Sequence, residues 1–162
     1  MSIPCRSGVG LAYALAPAGE AHVTSPVVAH PTTFEIFRTV DEVERVAAGD
    51  VIFSAGETGK CMYVVRDGTV TIHADGLPVE EVAAGGIFGE LALIDAAPRS
   101  ATATATTACE LVVLDERAFL FHVSQTPFFA LNVMRVLSER LRRASASAPI
   151  TAGAQAAETA VS

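Results

Sequence analysis

Short β-rich runs closed off by glycine set the first limit on this chain. Val51-Ile52-Phe53, Met62–Val65, Thr69–His73, Val79–Val82, Ala101–Ala105 and Leu111–Leu114 are all brief, and Gly49, Gly56, Gly59, Gly68, Gly76 and Gly85 punctuate the region. Strands of this length, with turn residues at regular intervals and no parallel-sheet signature, predict an antiparallel barrel or jelly roll. Asp67-Gly68 and Asp75-Gly76 read as tight hairpin turns joining neighbouring strands, because aspartate and glycine both tolerate positive φ.

Helices are expected on either side of this β region, giving a mainly β fold with some α. Thr33-Phe34-Glu35-Ile36-Phe37 pairs a capping residue with Phe34 and Phe37 three apart and predicts a short N-terminal helix. Asp115 is a candidate N-cap for a helix over Glu116–Val123, with Phe119 and Val123 on one face. After Thr126-Pro127 a longer helix is predicted from Phe128 to about Arg143. Its apolar stripe is Phe129, Val133, Val136, Leu137 and Leu141, and Arg140, Arg142 and Arg143 gather in its last turn. Residues 33–143 therefore read as one domain, 1–32 as a flexible extension and 144–162 as a disordered tail, both rich in small residues.

With 162 residues and 51% apolar composition, the chain suits a single core-bearing domain, and its net charge of −7 gives it no general attraction for nucleic acid. An anionic ligand would have to be drawn by local geometry. Cys5, Cys61 and Cys109 are odd in number and lack metal-site spacing, which fits free thiols better than a disulfide scaffold or zinc. His22, His30, His73 and His122 share no ligand spacing either. No nucleophile elbow, Walker loop or dinucleotide fingerprint occurs, so the chain reads as a non-enzyme without metal or cofactor. No apolar run approaches the roughly twenty residues that span a bilayer. Arg6 and the weak run Val9–Ala16 imitate a secretion signal, but Gly8, Gly10 and Pro17 disfavour one, and the expected location is the cytoplasm.

Chemistry concentrates in Phe88–Ala103, FGELALIDAAPRSATA. Gly89, Glu90 and Leu91 open a short helical turn, where unpaired N–H groups and the positive helix end favour an anion. Arg99 adds a guanidinium fork that matches phosphate. Glu90 would repel that phosphate, so it must point elsewhere, most usefully at a neutral donor such as a sugar hydroxyl. The combination describes a phosphorylated sugar.

The same stretch, Gly-Glu-Leu-Ala-Leu, a gap of five residues, then Pro-Arg-Ser-Ala-Thr, resembles the phosphate-binding cassette of the cyclic nucleotide-binding domain family, of the catabolite-activator and kinase-A-regulatory-subunit kind. The resemblance extends through Ala48–Phe53, Gly56-Glu57, Met62–Val65 and Thr107–Phe119, over about residues 38–143. It implies a β-roll in which Glu90 accepts the ribose 2′-hydroxyl and Arg99 pairs with the cyclic phosphate. Gly89, Leu91 and Ala92 would give backbone contacts and Ser100 a hydroxyl, while Val64, Val70 and Ala101 would form apolar walls. An ungapped match brings Ala144 and Ser145 to the base-capping positions, with Arg142 and Arg143 nearby. Many members carry an acidic residue where this chain has Gly86.

The family implies a sensor for cyclic AMP, ahead of cyclic GMP, that signals through its C-terminal helix to a protein partner or a second copy, with Phe128–Leu141 as the contacting segment. The helix-turn-helix of transcription-factor members has no counterpart before the sequence ends, so no direct DNA binding is expected, and no membrane contact. The competing readings are a ligand-indifferent β-roll that serves only interaction or dimerisation, and a transcription-regulator relative lacking its DNA-binding domain.

Overall fold

The computed structural model describes Phe37 and residues 42–147. Among the described residues eight strands and three helices follow in the order β1 (Glu44–Val46), β2 (Val51–Phe53), β3 (Cys61–Asp67), β4 (Thr69–Ala74), β5 (Leu77–Ala83), β6 (Ile87–Phe88), α1 (Glu90–Ile94), β7 (Thr102–Ala105), β8 (Cys109–Asp115), α2 (Glu116–Gln125) and α3 (Pro127–Ser147). The strands form two four-stranded sheets, ordered β1-β8-β3-β6 and β2-β7-β4-β5, with every pairing antiparallel. This is the antiparallel barrel-like architecture expected from the glycine-punctuated runs, and the β-roll that the family resemblance implies.

Strand β3 explains why its sequence is apolar without alternation. Successive strand residues face opposite ways, and both faces of β3 are covered. Cys61, Tyr63 and Val65 point into the roll, against Ile52, Phe53, Val70, Phe88 and Leu111. Met62 and Val64 point outward, into a second core with Ile87, Val112 and Leu114, on which Phe37, Phe129 and Val133 pack. The fully buried ring of Phe129 contributes roughly 1.5–3 kcal/mol to that docking. Helix α2 begins where the sequence placed it, with the Asp115 carboxylate accepting a 2.8 Å hydrogen bond from the Ala118 N–H.

Some expectations need correction. Asp75-Gly76 is a hairpin turn, both residues at positive φ (51° and 78°) and Ala74 paired with Leu77. Asp67-Gly68 is not, since β3 and β4 lie in different sheets. Only Gly68 has positive φ there, and β3 stays paired with β8 as far as Asp67. Leu141 is 69% exposed and leaves the inward stripe of α3. At 3.6 residues per turn the row through Val133 and Val136/Leu137 continues to position 140, an arginine. Helix α3 also runs on to Ser147, past the expected start of the tail, through Ala- and Ser-rich sequence that continues a helix easily. The N-terminal extension, the secretion-like segment, Thr33–Ile36 of the short helix, and residues 148–162 lie outside the described residues; Phe37 itself sits in a 3₁₀ turn.

Candidate functional site

A cavity of about 490 Å³ opens between the roll, α1 and the end of α3. Its floor is set by Gly89, which ends β6 in the left-handed region at φ 76° and turns the chain into α1 without a side-chain cap. A methyl group on Gly89 would stand 2.7 Å from Arg99 Nη1 and 3.2 Å from the Phe53 ring. Both the backbone conformation and the space call for glycine.

Arg99 returns to this point from the loop after α1. Its backbone is tied to the β2–β3 connection, its N–H donating to Glu57 O (2.8 Å) and its carbonyl accepting from Gly56 N (2.8 Å). The side chain is 5% exposed. Nη1 donates to Gly89 O at 2.7 Å, and the guanidinium lies 4.1 Å from the Phe53 ring centroid. Gly59 leaves it room, because a Cβ there would meet Arg99 Nε at 2.3 Å. Among the described residues no carboxylate pairs with Arg99. A buried guanidinium without a counter-charge is a standing site for an anion.

Glu90 is more deeply buried still, at 2% exposure. Its Oε1 accepts a 2.7 Å hydrogen bond from Arg140 Nη1, while Oε2 has no hydrogen-bond partner among the described residues. Arg140 also donates through Nε to Glu80 Oε2 (2.8 Å) and through Nη2 to Ile87 O (2.7 Å). Burial works to lower the Arg140 pKa, but Glu90 and Glu80 outweigh it and hold the guanidinium above its usual value, fully charged. Arg143 Nη1 reaches Glu80 Oε1 at 3.3 Å. Helix α3 is thereby fastened to both β5 and α1.

Of the residues singled out from sequence, Gly89, Glu90, Leu91, Ala92, Arg99, Ser100, Ala101 and Arg143 all line this cavity, as does Ala144. Val64 does not; it faces the second core under α3, one pleat out of phase with the roll interior. Val70 lies inside the roll but below the cavity, and Ile72, two residues on and on the same face, forms the wall instead. Arg142 is exposed and lies off the lining, since the helical turn that brings positions 140, 143 and 144 inward carries 142 outward. At Gly86 a Cβ would meet Val82 Cγ1 at 2.5 Å, so this turn is closely packed in a way an acidic side chain would not fit.

Sequence reasoning missed Arg140, Glu80, Phe53 and Gly59. Arg140 alone had a readable signal, seven residues after Val133 on the inward row. Glu80 sits in β5 where the pairing with β4 slips, Ile72 facing Glu80 and His73 facing Pro78, which shifts the alternation, and the seating of Arg99 over Gly59 and Phe53 is a tertiary contact.

A family model described as "Cyclic nucleotide-binding domain" matches residues 43–125. Over 95 residues the chain is 40% identical to a cyclic nucleotide-gated potassium channel of Rhizobium etli, covering 59% of this chain and 26% of the channel. Over 101 residues it is 34% identical to a cyclic AMP receptor protein of Thermus thermophilus, covering 59% and 47%. The crystal structure of the Thermus thermophilus catabolite activator protein superimposes with a TM-score of 0.61 at 28% identity, covering 74% of this chain and 59% of that one. The chain thus spans less than half the length of the two sequence relatives. With its fold, its cassette and the family match in agreement, the chain belongs to the cyclic nucleotide-binding domain family.

Proposed function

We propose that this domain is a non-enzymatic sensor of cyclic AMP, in which Arg99 takes the cyclic phosphate and Glu90 Oε2 takes the ribose 2′-hydroxyl. The observation that carries the reading is the pairing of a buried guanidinium lacking a carboxylate with a buried carboxylate oxygen lacking a donor, on one cavity wall. Each is costly alone, and a ligand with an anionic phosphate and a neighbouring hydroxyl satisfies both. Two carboxylates (Glu80, Glu90) and three guanidiniums (Arg99, Arg140, Arg143) line the cavity. The excess of one positive charge suits the single negative charge of a cyclic phosphodiester. Gly89, Leu91, Ala92 and Ser100 surround the phosphate end, and Ala101 with Ile72 gives an apolar wall.

Cyclic AMP is favoured over cyclic GMP by the name of the Thermus relative, a cyclic AMP receptor protein. Output runs through α3, because Arg140 and Glu90 place the helix and the ligand site on one ion pair; a ligand moves the helix by the difference in its affinity for the two helix positions. The outer face of α3 leaves Phe128 (69% exposed), Met134 (55%) and Leu141 (69%) uncovered, which supports a protein partner or a second copy at that helix. The reading requires no direct contact with DNA. The location we propose is the cytoplasm; none of the described helices is long and apolar enough to cross a membrane.

Isothermal titration with cyclic AMP and cyclic GMP, repeated on Arg99→Ala, tests the proposal. Saturable binding near one ligand per chain, weakened in the variant, is the expected result. Dilution heats alone for both nucleotides would leave the ligand-indifferent interaction module as the better account.

A further inference from the structure

We propose that Ser145 is a phosphorylation site for an arginine-directed protein kinase, and that phosphate there and nucleotide in the cavity oppose each other. The site stands on residues that the nucleotide reading leaves unused; the opposition rests on that reading. In Leu141-Arg142-Arg143-Ala144-Ser145-Ala146 a serine follows two adjacent arginines, at positions −3 and −2, with an alanine on either side. No other serine or threonine of the chain has arginine at both positions. Kinases select substrates by such charge patterns. A substrate groove lined with carboxylates is met here by two guanidinium forks, each able to pair bidentately, and the small neighbours leave the hydroxyl unobstructed.

The fold leaves these groups accessible. Arg142, Ala144, Ser145 and Ala146 are exposed, and the Arg143 side chain is 62% exposed. Among the described residues Arg142 has no ion-pair partner. Arg143 reaches Glu80 at 3.3 Å and Glu139 at 3.6 Å, and a kinase carboxylate can replace either. Ser145 lies in the last turn of α3, whose carbonyls lack intrahelical donors, and such a turn opens readily into the extended form that a substrate groove takes. The step is phosphoryl transfer from a nucleoside triphosphate. The Ser145 Oγ–P bond forms as the bond from the γ-phosphorus to the diphosphate oxygen breaks, and the hydroxyl proton passes to the kinase's base.

Position supplies the coupling. Arg143 and Ala144 line the cavity, whereas Ser145, about 100° further round the helix, does not. A nucleotide against Arg143 and Ala144 keeps the last turn helical and out of a kinase groove. A phosphoserine brings nearly two negative charges to the helix end that is already negative, and it competes for the Arg143 that holds Glu80. Each event therefore disfavours the other.

The test is incubation of the full chain with magnesium ATP and the catalytic domain of a serine kinase that takes Arg-Arg-X-Ser peptides, with the phosphate located by peptide mass. One phosphate per chain is expected, on Ser145, and that peptide should stay unmodified in Ser145→Ala. Arg142→Ala should lower kcat/KM roughly tenfold or more, and Arg142→Lys, which keeps the charge without the fork, should fall between. Saturating cyclic AMP should slow the reaction, and the phosphorylated chain should bind cyclic AMP about two- to fivefold more weakly than the mock-treated chain. Absence of phosphate from Ser145, or labelling indifferent to Arg142→Ala, overturns the site. Labelling of Ser145 that cyclic AMP does not slow, with affinity unchanged afterwards, overturns the opposition alone. If the chain binds no nucleotide, the sensor reading and the opposition fall together, and the Arg142 result decides the site by itself.

Discussion

Arg140 Nη1 lies 2.7 Å from Glu90 Oε1, so the helix that closes the domain and the carboxylate that opens the cassette share one ion pair. The Glu90 side chain is 3% exposed and that of Arg140 21%. Such a pair is weak evidence for net stability, but removing one partner strands the other without compensation, typically at about 3–5 kcal/mol. Arg140→Ala leaves Glu90 with two unpaired oxygens and removes the Arg140 contacts to Glu80 and Ile87, so that of these contacts only Arg143 still ties α3 to Glu80. Its urea midpoint should fall accordingly, and the double variant Arg140→Ala/Glu90→Gln should regain part of the loss. A double variant no more stable than Arg140→Ala alone would show that the two residues are not energetically coupled.

Arg99 behaves in the opposite sense. It is a buried cation without a carboxylate among the described residues, held by a backbone carbonyl and two aromatic rings. Arg99→Met keeps most of the stem, removes the charge and lifts a desolvation cost from the ligand-free state. Its unliganded urea midpoint should be no lower than that of the parent. Affinity for cyclic AMP should nevertheless drop about ten- to a hundredfold, the worth of one charge-assisted contact. A ligand at a hundred times its dissociation constant adds about 2.7 kcal/mol to the parent, and that thermal shift should be lost in the variant at the same concentration.

Gly89 carries two separate demands. At φ 76° an L-residue is strained by about 1–2 kcal/mol, and a methyl group would push on Arg99 Nη1 from 2.7 Å. Gly89→Ala should therefore lower stability and nucleotide affinity together. Gly76→Ala is the control: at φ 78° it carries similar strain, but nothing lies within 4 Å of its Cβ. Equal losses of affinity in the two would show that strain alone, and not the seating of Arg99, governs the site.

The contrast between these residues shows how much of the domain could be read from the chain. The strands were legible because each run is bounded by turn residues, yet β1 and β6 were not, being three and two residues long with no alternation to find. The cassette was legible because Gly89, Glu90 and Arg99 lie within one short segment. Arg140 and Glu80 reach the same cavity from 50 residues after and ten before Glu90, and only the packing of α3 against β5 and α1 brings them there. Val64 was misplaced for a related reason: a strand buried on both faces gives no sign in its sequence of which residues face the roll.

His122 supplies a pH dependence that owes nothing to the ligand. It is buried between Phe37, at a ring distance of 4.8 Å, and Phe129, at 5.7 Å, and burial lowers its pKa below the ordinary 6.5. The unfolded chain therefore takes up the proton first as pH falls. In linkage terms the unfolded state binds more protons between the unfolded and folded pKa values, and stability rises with pH across that window. The domain should hold its full stability above about pH 7 and lose it progressively below about 6.5, the loss levelling off once the folded-state histidine is also protonated. His122→Phe fills the same aromatic site without a titrating group. Its urea midpoint should vary less between pH 7.5 and pH 5.5 than that of the parent, and identical slopes would assign the acid sensitivity to other groups.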